Sequence, residues 1–243
     1  MRIVVKCGGP LILCLALAAC GAPPPRQSLP AGAPAPAAGT RTDAVAPTQG
    51  PPQTRYRIDP DQSELRVLVY RAGPMASLGH NHVISTHELQ GWATFNGAAS
   101  DAAFALTLPV AAFVIDDPRV RNEEGGDFAE DVTDEARSGT AHNMLGPAVL
   151  NAADFPALTI SSVSVTATAG AFQARVALEV AGHASALVVP FMLEVSPRRL
   201  VAHGELTLRQ SSIGLAPFSV FLGALKVQDE LRVKFKFVAV RGV

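Results

Sequence analysis

From Tyr56 onward, apolar and polar residues alternate with a period of two. Leu65, Val67 and Val69 alternate with Glu64, Arg66 and Leu68, and Phe104, Leu106, Leu108 and Val110 share one parity. Phe172, Ala174, Val176, Leu178 and Val180 alternate with Gln173, Arg175 and Glu179, and Leu187, Val189, Phe191, Leu193 and Val195 form another such set. The last segment sets Leu231, Val233, Phe235 and Phe237 against Arg232, Lys234 and Lys236. Successive side chains of a strand point to opposite faces, so this pattern predicts strands with one wet face. Short turns such as Gly182-His183 and Ser196-Pro197 separate them. The expected fold is all-β and mainly antiparallel, a barrel or a sandwich.

Residues 116–150 break the alternation. Asp134, Glu135, Ala136 and Arg137 favour helix, and Thr140 is placed to cap a second short helix ending near Leu150. We expect a helical insertion between two strands, used as a lid or plug over one barrel end. Asp116, Asp117, Glu123, Glu124 and Asp127 read as a solvated acidic face that Arg119, Arg121 and Arg137 can pair with. No internal repeat is visible, and residues 55–243 read as one domain.

Composition sharpens the picture. Hydrophobic residues make up 48% but aromatics only 6%, so the apolar mass is mostly Ala, Val and Leu. Such a chain is not disordered as a whole. Three Cys exclude a disulfide scaffold. A net charge of −1 supplies no basic field for nucleic acid.

The N-terminal region reads differently. Arg2 and Lys6 precede an apolar run from Leu11 to Ala19, too short for a permanent span and suited to an export signal. Leu17-Ala18-Ala19-Cys20 has the form of a bacterial lipoprotein cleavage site. We expect residues 1–19 to be removed and Cys20 to carry the lipid anchor, leaving that single Cys and a formal charge of −3 once Arg2 and Lys6 are gone. Residues 21–54 hold nine of the 19 prolines and cannot bury a core, so residues 20–54 read as a lipidated tether. No Asp follows Cys20. The expected location is the bacterial cell envelope, anchored to the outer membrane and facing the periplasm.

Several segments, in order, resemble the YceI-like family. They are Tyr56-Arg57-Ile58-Asp59 with Ser63, then Leu78-Gly79-His80-Asn81-His82, then Asn143-Met144-Leu145-Gly146 with Asp154-Phe155-Pro156. Ala181-Gly182-His183-Ala184-Ser185 running into Val188-Val189-Pro190-Phe191, and Ile213-Gly214-Leu215, complete the set. The family's usual Thr and Pro are altered in the hairpin, and Gly79-His80-Asn81-His82 is similar to a Gly-His-x-His branch. The resemblance covers about residues 55–240. It implies an exported lipocalin-like β-barrel of about eight strands, associated with polyisoprenoid binding.

A barrel of about eight strands has room for one slender ligand. At about 25 cal/mol per Å², burying about 300 Å² of a hydrocarbon chain gains roughly 7 kcal/mol before its ordering cost. The inner-face candidates are Val67, Val69, Trp92, Phe104 and Leu106, together with Phe172, Val176, Phe191 and Phe235. His80 and His82 lie two apart, so an extended backbone points both the same way. They are candidates for a polar headgroup or for a metal, with a further His, Asp or Glu completing the latter. Ser211 and Ser212 lack a nucleophile-elbow setting and the Gly-rich patches lack phosphate-loop spacing, so no enzymatic activity is expected. The reading is a membrane-tethered barrel whose partner is an apolar lipid, an isoprenoid or a quinone. The alternatives are a metal- or haem-linked periplasmic protein using His80 and His82, or a structural envelope stress protein whose barrel is filled.

Overall fold

The computed structural model describes residues 54–168 and 170–242. The expected signal peptide, Cys20 and nearly all of the tether lie outside the described residues.

The front of the chain forms β1 (Arg55–Ile58), β2 (Glu64–Ala72), β3 (His82–Thr86), β4 (Gln90–Thr94), β5 (Ala103–Pro109) and β6 (Val114–Ile115). After a helical excursion come β7 (Ala157–Thr168), β8 (Ala171–Val180), β9 (His183–Ser196), β10 (Arg199–Arg209), β11 (Ser219–Val220) and β12 (Leu225–Arg241). Every pairing is antiparallel. The order β1-β4-β5-β7-β8-β9-β10-β12 closes when β12 pairs β1, giving an eight-stranded barrel. The β12 strand also pairs β2, which leads on to β3 and β6. Three wall strands are therefore broken in the chain: β1 runs on into β2, β3 into β4, and β5 into β6. The all-β antiparallel architecture is what the alternation predicts, and the choice of an eight-stranded lipocalin-like barrel over a sandwich is what the family resemblance implies.

Two features shape the wall. Gly91 in β4 has φ +144, and a Cβ there would collide with the Ala105 carbonyl oxygen of β5. Only glycine fits that approach. Gly91→Ala is expected to lower stability by about 2–3 kcal/mol, read from the denaturation midpoint. The β8–β9 hairpin turns through Ala181 and Gly182, both at positive φ (48 and 78), the geometry that matches strand twist in a two-residue turn.

Opposite strand directions define two ends. The hairpins β4–β5, β7–β8 and β9–β10 lie at the lower end. The helical excursion and the turns after β2, β8 and β10 lie at the upper end. Most rings sit low: Phe172 stacks on Phe191 with centroids 5.4 Å apart, Phe95 meets Phe172 edge-on, and Phe235 stacks on Phe237 at 4.9 Å.

The excursion holds α1 (Pro118–Glu124) and α2 (Asp134–Leu145). Asp117 caps α1 by accepting from the Arg119 amide at 2.8 Å, and Pro118 fills the first turn. Thr133, not Thr140, caps α2, accepting from the Ala136 amide at 3.2 Å. Thr140 is inside that helix and its hydroxyl donates to the Ala136 carbonyl at 2.9 Å. The expected break at Thr140 is thus corrected: a better cap stands seven residues earlier and the helix runs through. The lid expectation also divides in two. The half-buried α2 residues Thr140 and Met144, with the more exposed Asn143, meet the barrel's upper end. Val120 of α1 and the nearby Phe128 instead cover the outer face of β2 and β3, burying Leu68 and Val83 outside the barrel wall. That is why Leu68, on the polar parity of β2, is 1% exposed.

The acidic stretch is not one solvated face. Asp116 is fully buried. The Glu124 side chain is nearly so, held by Arg66 and Lys234. Asp116 binds Arg121, one of the cations the sequence offers it, whereas Glu124 binds partners 58 and 110 residues away that no local sequence rule pairs with it.

Candidate functional site

The barrel encloses a cavity of about 430 Å³. Its wall is mainly aliphatic through the middle and upper parts, with Val67, Val69, Val176, Leu187, Leu206 and Leu231 among its residues and Phe113 and Phe218 as added rings. Phe104, Leu106, Phe191 and Phe235 line it lower down. Alternating strands build such a wall directly, because every second residue of each strand faces inward.

Two inner-face candidates are displaced. Trp92 is outside the barrel: its neighbour Ala93 faces the cavity, and the Arg55 guanidinium sits 4.4 Å above the indole ring. Both faces of that strand are apolar, and the outward one is the better seat for a ring that can hold a cation. Phe172 is inward but off the cavity wall, packed in the lower cluster with Ala174, Val176 and Phe191. The other candidates, Val67, Val69, Phe104, Leu106, Val176, Phe191 and Phe235, lie together on the wall, with His80 and His82.

Apart from Thr94 at the lower end of β4, the polar lining groups gather at the upper end: Arg71, His80, His82, Thr140, Asn143, Gln210 and Lys226. At their centre His82 Nδ1 lies 2.7 Å from Asp116 Oδ2. Asp116 is the hub of this group. Its Oδ1 accepts from the Val83 amide at 2.8 Å and from Arg121 Nη1 at 2.6 Å. Its own amide donates to the Val83 carbonyl at 2.8 Å, from a backbone at φ +54. Asp is among the residues that tolerate that conformation. Burial works against the charge on Asp116, but the His82 ring, the Val83 amide and Arg121 together hold its carboxyl below the usual carboxylate range. The carboxylate is therefore an acceptor, and Nδ1–H of His82 donates to it. That fixes the imidazole so that Nε2 is the atom left for the cavity.

Arg121 ties the surrounding loops to the hub. Its side chain is 5% exposed, and it also donates to the carbonyls of Asn81 and Glu130 at 2.7 Å each. Asn81 clamps the same region, accepting from the Arg71 amide at 2.9 Å and donating to the Asp127 carbonyl at 3.1 Å. The Asn of Gly79-His80-Asn81-His82 thus serves the fold.

His80 and His82 have ring centroids 6.3 Å apart. Among the described residues, no group of three or more His, Cys, Asp and Glu is placed to hold a metal ion. The one carboxylate beside His82 is occupied by its own hydrogen bonds. The sequence alone does not mark Asp116, Arg121, Thr140 or Asn143 as site residues. The signal available was the Asp116-Asp117-Pro118 triplet ending a strand: the second Asp reads as a helix cap, but nothing local ties the first to a histidine 34 residues earlier.

Residues 56–239 match the YceI-like domain. The chain belongs to this family. Among solved structures this YceI-like barrel is similar to BcnA from Burkholderia cenocepacia, at 16% identity and TM-score 0.57, covering 75% of this chain and 99% of that one. It is also similar to a polyisoprenoid binding domain from Saccharophagus degradans implicated in plant cell wall breakdown, at 10% identity and TM-score 0.50, covering 77% and 98%. At these identities the likeness establishes the YceI-like fold. No curated protein sequence matches the chain.

Proposed function

We propose that this YceI-like barrel is a lipid-binding module that holds one long apolar chain, an isoprenoid, a quinone-type lipid or a similar amphiphile, and carries or sequesters it. The observation that carries this reading is the cavity of about 430 Å³ with an aliphatic wall and a polar upper rim. That form suits a slender amphiphile, whose chain gains from excluding water and whose head stays near the rim. A domain of similar fold bears the description polyisoprenoid binding, which supports the same ligand class here. The filled-barrel alternative is disfavoured by the cavity, and the metal reading by the lack of a third ligand among the described residues.

We further propose that the barrel works at the end of a lipidated tether. The Leu17-Ala18-Ala19-Cys20 sequence and the Pro-rich segment behind it support anchoring at Cys20, on the outer membrane facing the periplasm. The Gly79-His80-Asn81-His82 segment supports placing the chain in the Gly-His-x-His branch. The role requires no catalysis.

Native mass spectrometry of the full chain, purified gently from its own membranes, tests the binding reading. A discrete mass increment released by organic extraction as an isoprenoid or quinone lipid is expected. Uniformly lipid-free cavities, with no uptake of offered isoprenoids, would overturn it.

A further inference from the structure

Within the proposed carrier role, we infer that the cavity selects a neutral, hydroxyl-bearing head, a prenyl alcohol or a phenol, and binds its O–H to Nε2 of His82. The inference rests on how the hydrogen bonds at the upper rim are spent. Asp116 fixes His82 with Nδ1–H directed at its carboxylate, 2.7 Å away. The His82 side chain is 13% exposed and lines the cavity, so Nε2 is directed at whatever occupies the upper chamber. Among the described residues the hydrogen-bonding atom recorded beside it is Thr140 Oγ1 at 3.5 Å, beyond a good hydrogen bond. Thr140 has already given its proton to the Ala136 carbonyl at 2.9 Å. The order Asp116, His82, Thr140 has the outline of a hydrolytic triad, but that committed proton takes Thr140 out of a nucleophile's role. What remains is a ring nitrogen without a strong partner beside an oxygen that can still accept. A hydroxyl supplies the donor this corner lacks: with Nδ1–H spent on Asp116, its O–H donates to the Nε2 lone pair, with Thr140 Oγ1 alongside.

Charge placement separates this head from an anionic one. The Asp116 carboxylate is offset by Arg121, at 2.6 Å. Arg71, the guanidinium lining the cavity, donates to the Gly79 carbonyl and faces Glu130 at 3.5 Å. Arg137 of α2 is paired with Asp134. Lys226 lies further up the wall, opposite Ala72, whereas His82 is opposite Val69. A phosphate or carboxylate on His82 would thus find Arg121, Arg71 and Arg137 already engaged and Lys226 three residues further up the wall, so its desolvation would be poorly compensated.

Competition against an apolar fluorescent probe bound by the full chain tests this, using farnesol, its methyl ether and farnesoic acid. The alcohol is expected to bind about tenfold tighter than the ether, the effect of one net buried hydrogen bond, and tighter than the acid. In His82→Phe and in Thr140→Val the gap between alcohol and ether is expected to shrink, while ether binding persists and certifies the folded barrel. Equal binding of alcohol and ether, or tightest binding of the acid, would overturn the head assignment and leave the carrier reading intact. If no ligand in the series displaces the probe or enters the cavity, the carrier reading itself fails.

Discussion

Replacing Arg121 with Met is expected to remove about 3–5 kcal/mol from the stability of the barrel. Domains of this kind are stable by only about 5–15 kcal/mol, so the variant stands near the edge of folding. The size of the effect follows from what is left behind. Asp116 is 0% exposed, and without Arg121 its carboxylate keeps only the Val83 amide and the His82 ring. The carbonyls of Asn81 and Glu130 lose their donor in the same change. A surface pair such as Arg209 with Glu230, by contrast, is worth well under about 1 kcal/mol when broken. Urea unfolding of the two variants Arg121→Met and Arg209→Met, side by side, gives the comparison.

The pH dependence has a definite sign. The carboxyl of Asp116 is held below its unfolded value, so its contribution is complete above the unfolded pKa of about 3.9. It is lost as pH falls through the lower, folded value. Removing Arg121 removes one of the groups that depress it, so the variant's Asp116 takes up a proton at higher pH than the parent's. The stability difference between parent and variant is therefore largest near neutrality and narrows on acidification. A difference that grew in acid would mean that Asp116 is not the charge Arg121 serves.

Much of this barrel is readable from its sequence because strand parity is a local property. Alternation alone places Val67, Val69, Phe104, Leu106, Val176, Phe191 and Phe235 inward, and they line the cavity. Parity fails where both faces of a strand are apolar. In β4 it cannot decide between Trp92 and Ala93, and the outcome depends on Arg55, which stacks on the indole from a neighbouring strand. It also misreads Leu68, whose outward side is dry only because α1 and Phe128 cover it. The site's chemistry was legible in half. Gly79-His80-Asn81-His82 drew notice as a motif, but its meaning depends on Asp116, placed beside it by the pairing of β3 with β6. Long-range partners of this kind leave no periodic trace. The same acidic run that reads as a solvated face contributes both the buried hub at Asp116 and the nearly buried side chain of Glu124, while Asp117 serves as a helix cap.

Filling the barrel from within is expected to abolish ligand binding while sparing the fold. Val67 faces the cavity near mid-height, paired with Val233 on β12 and Ile84 on β3. A Val67→Trp indole placed there stands in the path of any chain running the length of the cavity. If a bound chain buries about 300 Å², blocking half of it forfeits about 3.5 kcal/mol, a loss of several-hundred-fold in affinity. Val163→Trp, on an outward position 63% exposed, adds the same ring to the surface and is expected to change nothing. Stability provides the second readout. In a solid core an added ring forces strain of about 1–3 kcal/mol. In a cavity of about 430 Å³ the indole has space to occupy and apolar wall to cover. Val67→Trp is therefore expected to unfold at the same denaturant concentration as the parent or higher, with binding lost. A variant destabilised by the solid-core amount would show instead that the barrel is packed where the cavity lies, and an undiminished affinity would show that the chain does not run past Val67.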